Sequence, residues 1–577
     1  MTQLSVSRAA RPAPCARFAL HAIAASLAAA FGTCAIPSWA QLPTGAQVVS
    51  GQASINTNGS QMTIVNSPNA VLNWQSFSIG SQNTVRFEQA SAASKVLNRV
   101  VGNDPSQILG ALSSNGSVWL INPNGVLFSH GARIDVGGLV ASTMALSNAD
   151  FEAGRARFDG AGGRNGEVRN EGNISTTFGG RVWLVGNAVR NTGTISAPEG
   201  SVVMAAGNSV EIVDSGLPNI TLRVSATGET TENSGTLLAV DGKIDLHGGI
   251  VNQRGIVRAE SLNALGTVNI VSKGNVTLET GSETSTNAVE PATNIGGDIN
   301  IRSESGDVLI AGSMSARGRD GGTLTVGAGD GALDIQGKLD SSGGVTGGFQ
   351  SLSGSSLTVG PSATVDASGG ETGGILFVWA EDGALGIQGK LDSSGGLTGG
   401  IQNLTGLSLT VGSSATVDAS AGKTGGTLTV VAEDGALDIQ GKLDSSGGVT
   451  GGIQTLSGLS LIVGPIATVD ISGGETGGTL TVLAEDGALD IQGKLDSSGG
   501  VTGGFQTLVG LSLTVGPSAT VDVSGGETGG NLTVAAEDGA LDIQGKLDSS
   551  GGETGGIQTL SGVSLTVGSS AIVNASG

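Results

Sequence analysis

The segment Gly331-Ala-Leu-Asp-Ile-Gln-Gly-Lys-Leu-Asp-Ser-Ser-Gly-Gly344 recurs with few changes at Gly383, Gly435, Gly487 and Gly539, 52 residues apart each time. A fixed period of this length restricts a chain to a solenoid or an array of like modules. Framed on the Gly-Gly pairs that begin at Gly321, Gly373, Gly425, Gly477 and Gly529, residues 321–577 form five units, the last of them three residues short. Each unit contains an echo of itself: Leu333-Asp-Ile-Gln…Leu339-Asp-Ser-Ser-Gly-Gly matches Leu357-Thr-Val-Gly…Val365-Asp-Ala-Ser-Gly-Gly. The halves start at Leu333 and Leu357, and the matching point of the next unit is Leu385. This spacing predicts two coils per unit, the first of 24 and the second of 28, each made of three short strands and their turns.

Leu324/Val326, Leu333/Ile335 and Leu357/Val359 alternate with polar residues, so one face of each strand points inward. Glycine and serine clusters mark the corners. In residues 477–528 the pattern sends Leu480, Val482, Leu489, Ile491, Leu495, Phe505, Leu508, Leu511, Leu513, Val515 and Val521 to the interior. One unit holds too little apolar surface to offset the entropy of ordering its backbone, so neighbours must complete its ladders. The predicted fold is all-β, a right-handed parallel β-helix with corresponding leucines stacked about 4.8 Å apart. Removing one whole unit should preserve the register, whereas removing half of one should destroy it. The last coil shows no polar cap, so its edge is expected to fray or to be covered.

Glycine accounts for 100 of the 577 residues, tyrosine is absent and aromatics make up 3%. An aromatic-rich globular core is excluded, while the 38% apolar content and its placement argue against disorder. The formal charge of −22 is uneven: residues 321–577 carry 26 acidic side chains against six lysines and no arginine, a balance of −20. Such a surface repels nucleic acid and anionic membranes, and keeps a long stack soluble. Nucleic acid is therefore not an expected partner.

Residues 1–40 contain no acidic side chain. Arg8, Arg11 and Arg17 precede the apolar run Phe18–Phe31, and Ser38-Trp39-Ala40 supplies small residues at the positions a signal peptidase reads. Residues 1–40 are read as a secretory signal peptide, cleaved between Ala40 and Gln41. Both cysteines, Cys15 and Cys34, fall inside it, so no disulfide is expected in the mature chain. Two mature histidines, His130 and His247, cannot assemble a zinc site of the usual kind, and no metal or cofactor is expected.

Upstream of the repeats, Val118-Trp-Leu-Ile121 runs into Asn122-Pro123-Asn124-Gly125 and out through Val126-Leu-Phe128. Proline presets φ for a turn, and asparagine and glycine tolerate the positive φ that tight turns need. The context Val96-Leu-Asn-Arg-Val…Pro105-Ser-Gln-Ile-Leu-Gly110…Asn115-Gly-Ser-Val-Trp-Leu-Ile-Asn-Pro-Asn-Gly-Val-Leu-Phe…Ile134-Asp-Val-Gly-Gly-Leu-Val-Ala-Ser142 resembles the haemagglutination-activity domain that opens filamentous-haemagglutinin-like exoproteins of two-partner secretion. Leu42-Pro-Thr-Gly-Ala-Gln-Val-Val-Ser-Gly51, Val71-Leu-Asn-Trp-Gln-Ser-Phe-Ser-Ile-Gly80, Gly180-Arg-Val-Trp-Leu184 and Asn191-Thr-Gly-Thr-Ile-Ser-Ala197 continue the resemblance. An Asn-Pro-Asn-Leu segment that many members carry upstream has no counterpart; the region reads Asn103-Asp104-Pro105-Ser106. The organisation expected is a signal peptide at 1–40, a secretion domain at 41–285, connecting coils at 286–320 and the repeats at 321–577.

Nucleophile elbows, phosphate loops and His-Glu-x-x-His motifs are missing from the sequence. The Glu381-Asp382 pair recurs in four units, but adjacency on a strand sends neighbours to opposite faces, and repetition suggests a turn. An enzyme is not expected. The resemblance implies a secreted or surface-retained adhesin-like exoprotein, exported through an outer-membrane TpsB-type transporter that recognises the domain containing the Asn122-Pro123-Asn124-Gly125 turn. The host or neighbouring-cell receptor stays open. A structural spacer, or the N-terminal part of a larger contact-dependent toxin, is the alternative.

Overall fold

The computed structural model describes residues 42–160, 166–214 and 220–577. The expected signal peptide, residues 1–40, and its expected cleavage point between Ala40 and Gln41 lie outside the described residues. Strands dominate, and among the described residues the single α-helix is Asn148–Glu152. Parallel strands stack into a β-solenoid of about 19 turns. One ladder of short strands runs unbroken from Ser106–Ile108 to Ser564–Val567, each pairing in parallel with the next coil.

The third repeat shows how a coil is made. Thr427–Ala432 forms its long strand, Ala436–Ile439 the second and Lys442–Asp444 the third. Period-two alternation points Leu428, Val430, Leu437, Ile439 and Leu443 inward, all fully buried. Apolar side chains of successive coils fall in register and form one continuous core along the stack. Each coil covers the next, which is why no unit has to close a core by itself.

The register corrects the expected coil lengths. On the long strand Thr323 pairs with Phe349 and Phe349 with Ile375, a step of 26 each time. The third strand also steps by 26, from Lys338 to Thr364 to Lys390. Only the second strand steps by 24 and then 28, from Leu333 to Leu357 to Leu385. The extra residues sit in alternate first corners, such as Glu381-Asp382-Gly383, so the coils are equal and the corners unequal. Half a unit is therefore one complete coil, and its removal keeps the long and third strands in register.

Two assignments to the core are also corrected. Phe505 is 54% exposed and Leu511 is half-buried, while Gln506 is buried in Phe505's expected place. The register places glutamine and leucine alternately in one interior column: Leu376, Gln402, Leu428, Gln454 and Leu480. Gln402 Nε2 donates to Ser393 Oγ at 3.0 Å and to the Asp418 carbonyl at 2.7 Å. A buried amide survives there because a neighbouring coil supplies an acceptor.

The glycine corners are set by stacking distance. A Cβ on Gly348 would lie 2.2 Å from the Gly322 carbonyl oxygen and 2.8 Å from Ser341 Cβ. Only glycine lets adjacent coils approach this closely.

The N-terminal end is closed differently. Ala53–Asn58 and Gln61–Asn66 form an antiparallel hairpin, and Gln61–Asn66 then starts the parallel ladder with Thr84–Gln89. Gln47–Ser50 pairs antiparallel with Ala70–Trp74. These strands occupy the solenoid's first edge, which would otherwise template pairing with another chain.

A second layer covers one outer face. Arg181–Gly186 is apolar on both sides: Val182 and Leu184 face the main core, Trp183 and Val185 face outward. Strands buried on both faces read as continuous apolar runs. The covering layer is the short helix with the antiparallel strands Ala156–Asp159, Ser209–Asp214 and Ile220–Ser225. Trp119 packs edge-on to Phe151 with ring centres 5.4 Å apart, and near Phe158 and Trp183 at 6.2 Å each.

Candidate functional site

The Asn122-Pro123-Asn124-Gly125 turn joins the strands Ala111–Ile121 and Val126–Phe128. The Gly125 N–H donates to the Asn122 carbonyl at 3.1 Å, closing the turn. The left-handed position is Gly125, with φ +126°, and not Asn124, the residue expected to contribute positive φ. Asn122 is fully buried. Its Nδ2 donates to the Asp104 carbonyl and to Ser106 Oγ, both at 3.0 Å. Its Oδ1 accepts from the Asn124 N–H at 3.0 Å and from Asn124 Nδ2 at 3.1 Å. Asn124 Nδ2 also donates to the Gly102 carbonyl at 2.9 Å. Pro123 and Asn124 are half-buried. The turn is thus clamped onto the Gly102–Ser106 segment, and the Asn122 side chain is spent inside that clamp. The receiving segment contains Asn103-Asp104-Pro105-Ser106.

A second amide device, missed by sequence reasoning, begins one coil later. Asn170, Asn191, Asn233 and Gln253 align in register on the second ladder. Each amide nitrogen donates to the next amide oxygen at 2.8 Å. Only the recurring Asn-x-Gly corners at Asn170, Asn191 and Asn233 hint at it in sequence. The ladder ties consecutive coils of this domain as apolar stacking does elsewhere.

Basic side chains fasten the covering layer. Lys95 Nζ lies 4.4 Å from the Phe151 ring centre and 5.5 Å from that of Trp119, and it donates to the Phe151 carbonyl. Arg99 Nη2 donates to the Leu146 carbonyl at 2.7 Å. Burial lowers the pKa of both bases. Under the same layer, burial raises Asp245 to about 6 despite Lys243 and an Asn269 hydrogen bond. Burial pushes His247 down to about 4, with Lys243 adding to the effect.

The repeats carry a regular charge pattern. Asp340, Asp366, Asp392 and Asp418 stack in register, and the column continues to Asp548. On alternate coils a lysine two residues earlier reaches the aspartate, as in Lys390 Nζ to Asp392 Oδ2 at 2.6 Å. The other oxygen of Asp392 accepts from the Ser394 N–H and Oγ. Burial opposes the charge on Asp340, Asp392, Asp496 and Asp548, but these hydrogen bonds outweigh it and hold the carboxyls below their ordinary value. His130 lies at an exposed turn far from this column in sequence.

The profile of the TPS secretion domain matches residues 40–275. The structure resembles the HMW1 secretion domain of Haemophilus influenzae, with a TM-score of 0.53 and 28% identity, over 66% of this chain and 99% of that one. Two heme/hemopexin-binding proteins of Haemophilus influenzae match in sequence: one is 47% identical over 106 residues, 18% of this chain, and the other 42% over 119 residues, 20% of this chain. Those matches span only 12% and 13% of the relatives' own lengths. The turn, the amide ladder and the covered tryptophan face all lie within the matched residues, and residues 40–275 form a TPS secretion domain, the kind of domain carried by TpsA-type exoproteins of two-partner secretion.

Proposed function

We propose that this exoprotein is adhesin-like and acts at the bacterial surface, with its secretion domain serving export and its repeats serving contact. The observation that carries this reading is a repeated surface: Glu-Asp-Gly corners and Lys-Leu-Asp strands recur at every second coil, and Thr-Gly-Gly corners at every coil, along an unbroken stack. Linked weak contacts gain apparent affinity by multivalency without a unique strong site. The uniform acidic coils equally fit a spacer holding another segment away from the surface. Attachment to host or neighbouring cells, compared between the full chain and a variant lacking residues 321–528, separates the two. Lost attachment at equal export supports contact by the repeats, and unchanged attachment supports the spacer.

In the same reading, the Asn122-Pro123-Asn124-Gly125 turn acts in export by fixing the geometry of the coil around it, because its first side chain is buried and fully engaged. The signal peptide ends at Ala40, the mature chain starts at Gln41, and the functional boundaries fall at 41–285, 286–320 and 321–577. N-terminal sequencing of secreted protein tests the cleavage point directly.

A further inference from the structure

Three of the four aromatic residues in residues 321–577 are Phe349, Phe377 and Trp379; the fourth is Phe505. Strand Ile375–Ala380 sends Leu376, Val378 and Ala380 to the core, which leaves Phe377 and Trp379 on the outer face. One unit later the same positions hold Thr429 and Val431, then Thr481 and Leu483, then Thr533 and Ala535. The aromatic pair therefore interrupts an otherwise repeated surface at one place. Phe349 meets Phe377 edge-on with ring centres 5.7 Å apart. The Trp379 indole N–H donates to Glu381 Oε1 at 3.3 Å, which holds that carboxylate beside the ring. A cleft of about 300 Å³ opens here, lined by Phe377, Trp379, Glu381, Asn403, Thr405 and Glu433.

The chemistry of this cleft selects for positive charge. Aromatic faces carry negative electrostatic potential and attract organic cations. Glu381 and Glu433 supply countercharge at either side, and the −20 balance of residues 321–577 repels anions while drawing cations in. The platform is a handful of side chains, far less than the ~800 Å² per partner of a stable protein interface. Its size suits a small headgroup. We propose that this cleft binds a quaternary ammonium group, with the cation on the Trp379 and Phe377 rings and the two glutamates around it. The inference rests on the fold alone and stands apart from the adhesin reading.

The repeat supplies its own controls. Phe377→Thr with Trp379→Val copies the neighbouring unit, so the altered strand is one the solenoid already accommodates. Saturation-transfer NMR on the methyl protons of choline, titrated into the secreted full-length chain, reads the site. Choline is expected to bind the parent, and the double variant to bind about tenfold more weakly or worse. Glu381→Gln with Glu433→Gln keeps the shape and should lose choline likewise. Thr429→Phe with Val431→Trp, placed beside Glu433 and Glu485, should add a second site. Sedimentation with phosphatidylcholine vesicles distinguishes a surface-borne headgroup, which co-sediments, from a free small molecule, which does not. Equal choline binding by the parent and the Phe377→Thr/Trp379→Val variant, no choline binding by the parent, or equal binding of the neutral carbon analogue dimethylbutanol overturns the assignment.

Discussion

Asn122→Ala tests the clamp at the Asn-Pro-Asn-Gly turn. The substitution removes four hydrogen bonds: two donated to the Asp104 carbonyl and Ser106 Oγ, and two accepted from Asn124. Asp104 is exposed and its carbonyl regains water, but Ser106 is fully buried and its hydroxyl loses this partner. An orphaned buried hydroxyl costs ~1–3 kcal/mol and each lost turn bond about 0.5–1.5, so a loss of about 2–4 kcal/mol is expected. Asn122→Asp keeps the acceptor for Asn124 but turns a carboxylate oxygen toward the Asp104 carbonyl, and should cost more. Asn124→Ala, at a half-buried position, should cost about 1 kcal/mol. Urea unfolding read by tryptophan fluorescence reports this, since Trp74, Trp119 and Trp183 all lie in the secretion domain. Export should fall in the same order. A loss under about 0.5 kcal/mol for Asn122→Ala, or a greater loss for Asn124→Ala, would refute the clamp.

Three further outcomes follow from the coils and from the layer that covers them. Deleting residues 349–374 removes one complete coil and brings Leu324 beside Leu376; the chain should fold, export and shorten by about 4.8 Å in small-angle scattering, whereas deleting 349–372 should leave an unmatched corner and lose exported protein. Gly348→Ala should abolish stacking at its corner, while Gly386→Ala, with open space at its Cβ, should change stability by less than about 0.5 kcal/mol in thermal unfolding. Acid titration has two opposed components in the secretion domain. Asp245, raised from 3.8 to about 6, adds stability that is complete below pH 3.8 and lost as pH rises through 6. His247, lowered from 6.5 to about 4, adds stability that is complete above pH 6.5 and lost as pH falls toward 4. Asp245→Asn should therefore raise stability at pH 7 by on the order of 2 kcal/mol and steepen the loss between pH 6.5 and 4 in pH-dependent urea unfolding.

Sequence reasoning reaches the fold because its signals are local. Alternation in Leu324/Val326 and glycine at the corners depend on the strand and its own turn. The corrections concern partners in other coils. Leu357 and Leu385 suggest unequal coils because they sit on the one strand whose preceding corner varies in length. Hydrophobicity alone sends Phe505 inward, yet Gln506 takes the interior because a neighbouring coil offers its amide an acceptor. The covering layer cannot be read from residues 148–225, since its strands pair across distant segments and its floor is Trp119 and Trp183. The Asn122 turn is legible as a turn; its attachment to Asp104 and Ser106 is not, because those contacts span a coil. Trp379 stands in plain sight among the repeats but gains meaning only when Phe377, Glu381 and Glu433 come together around it.

In the proposed reading, residues 40–275 direct this chain out of the cell through a dedicated transporter. Co-expression with a cognate TpsB-type transporter in a host lacking one reads this export, with the full chain, residues 1–275 alone, and a variant that keeps residues 1–40 but lacks 41–275. The first two should reach the medium only when the transporter is present, and the third should stay in the periplasm. Release of the full chain without the transporter, or release of the variant lacking 41–275, would contradict it.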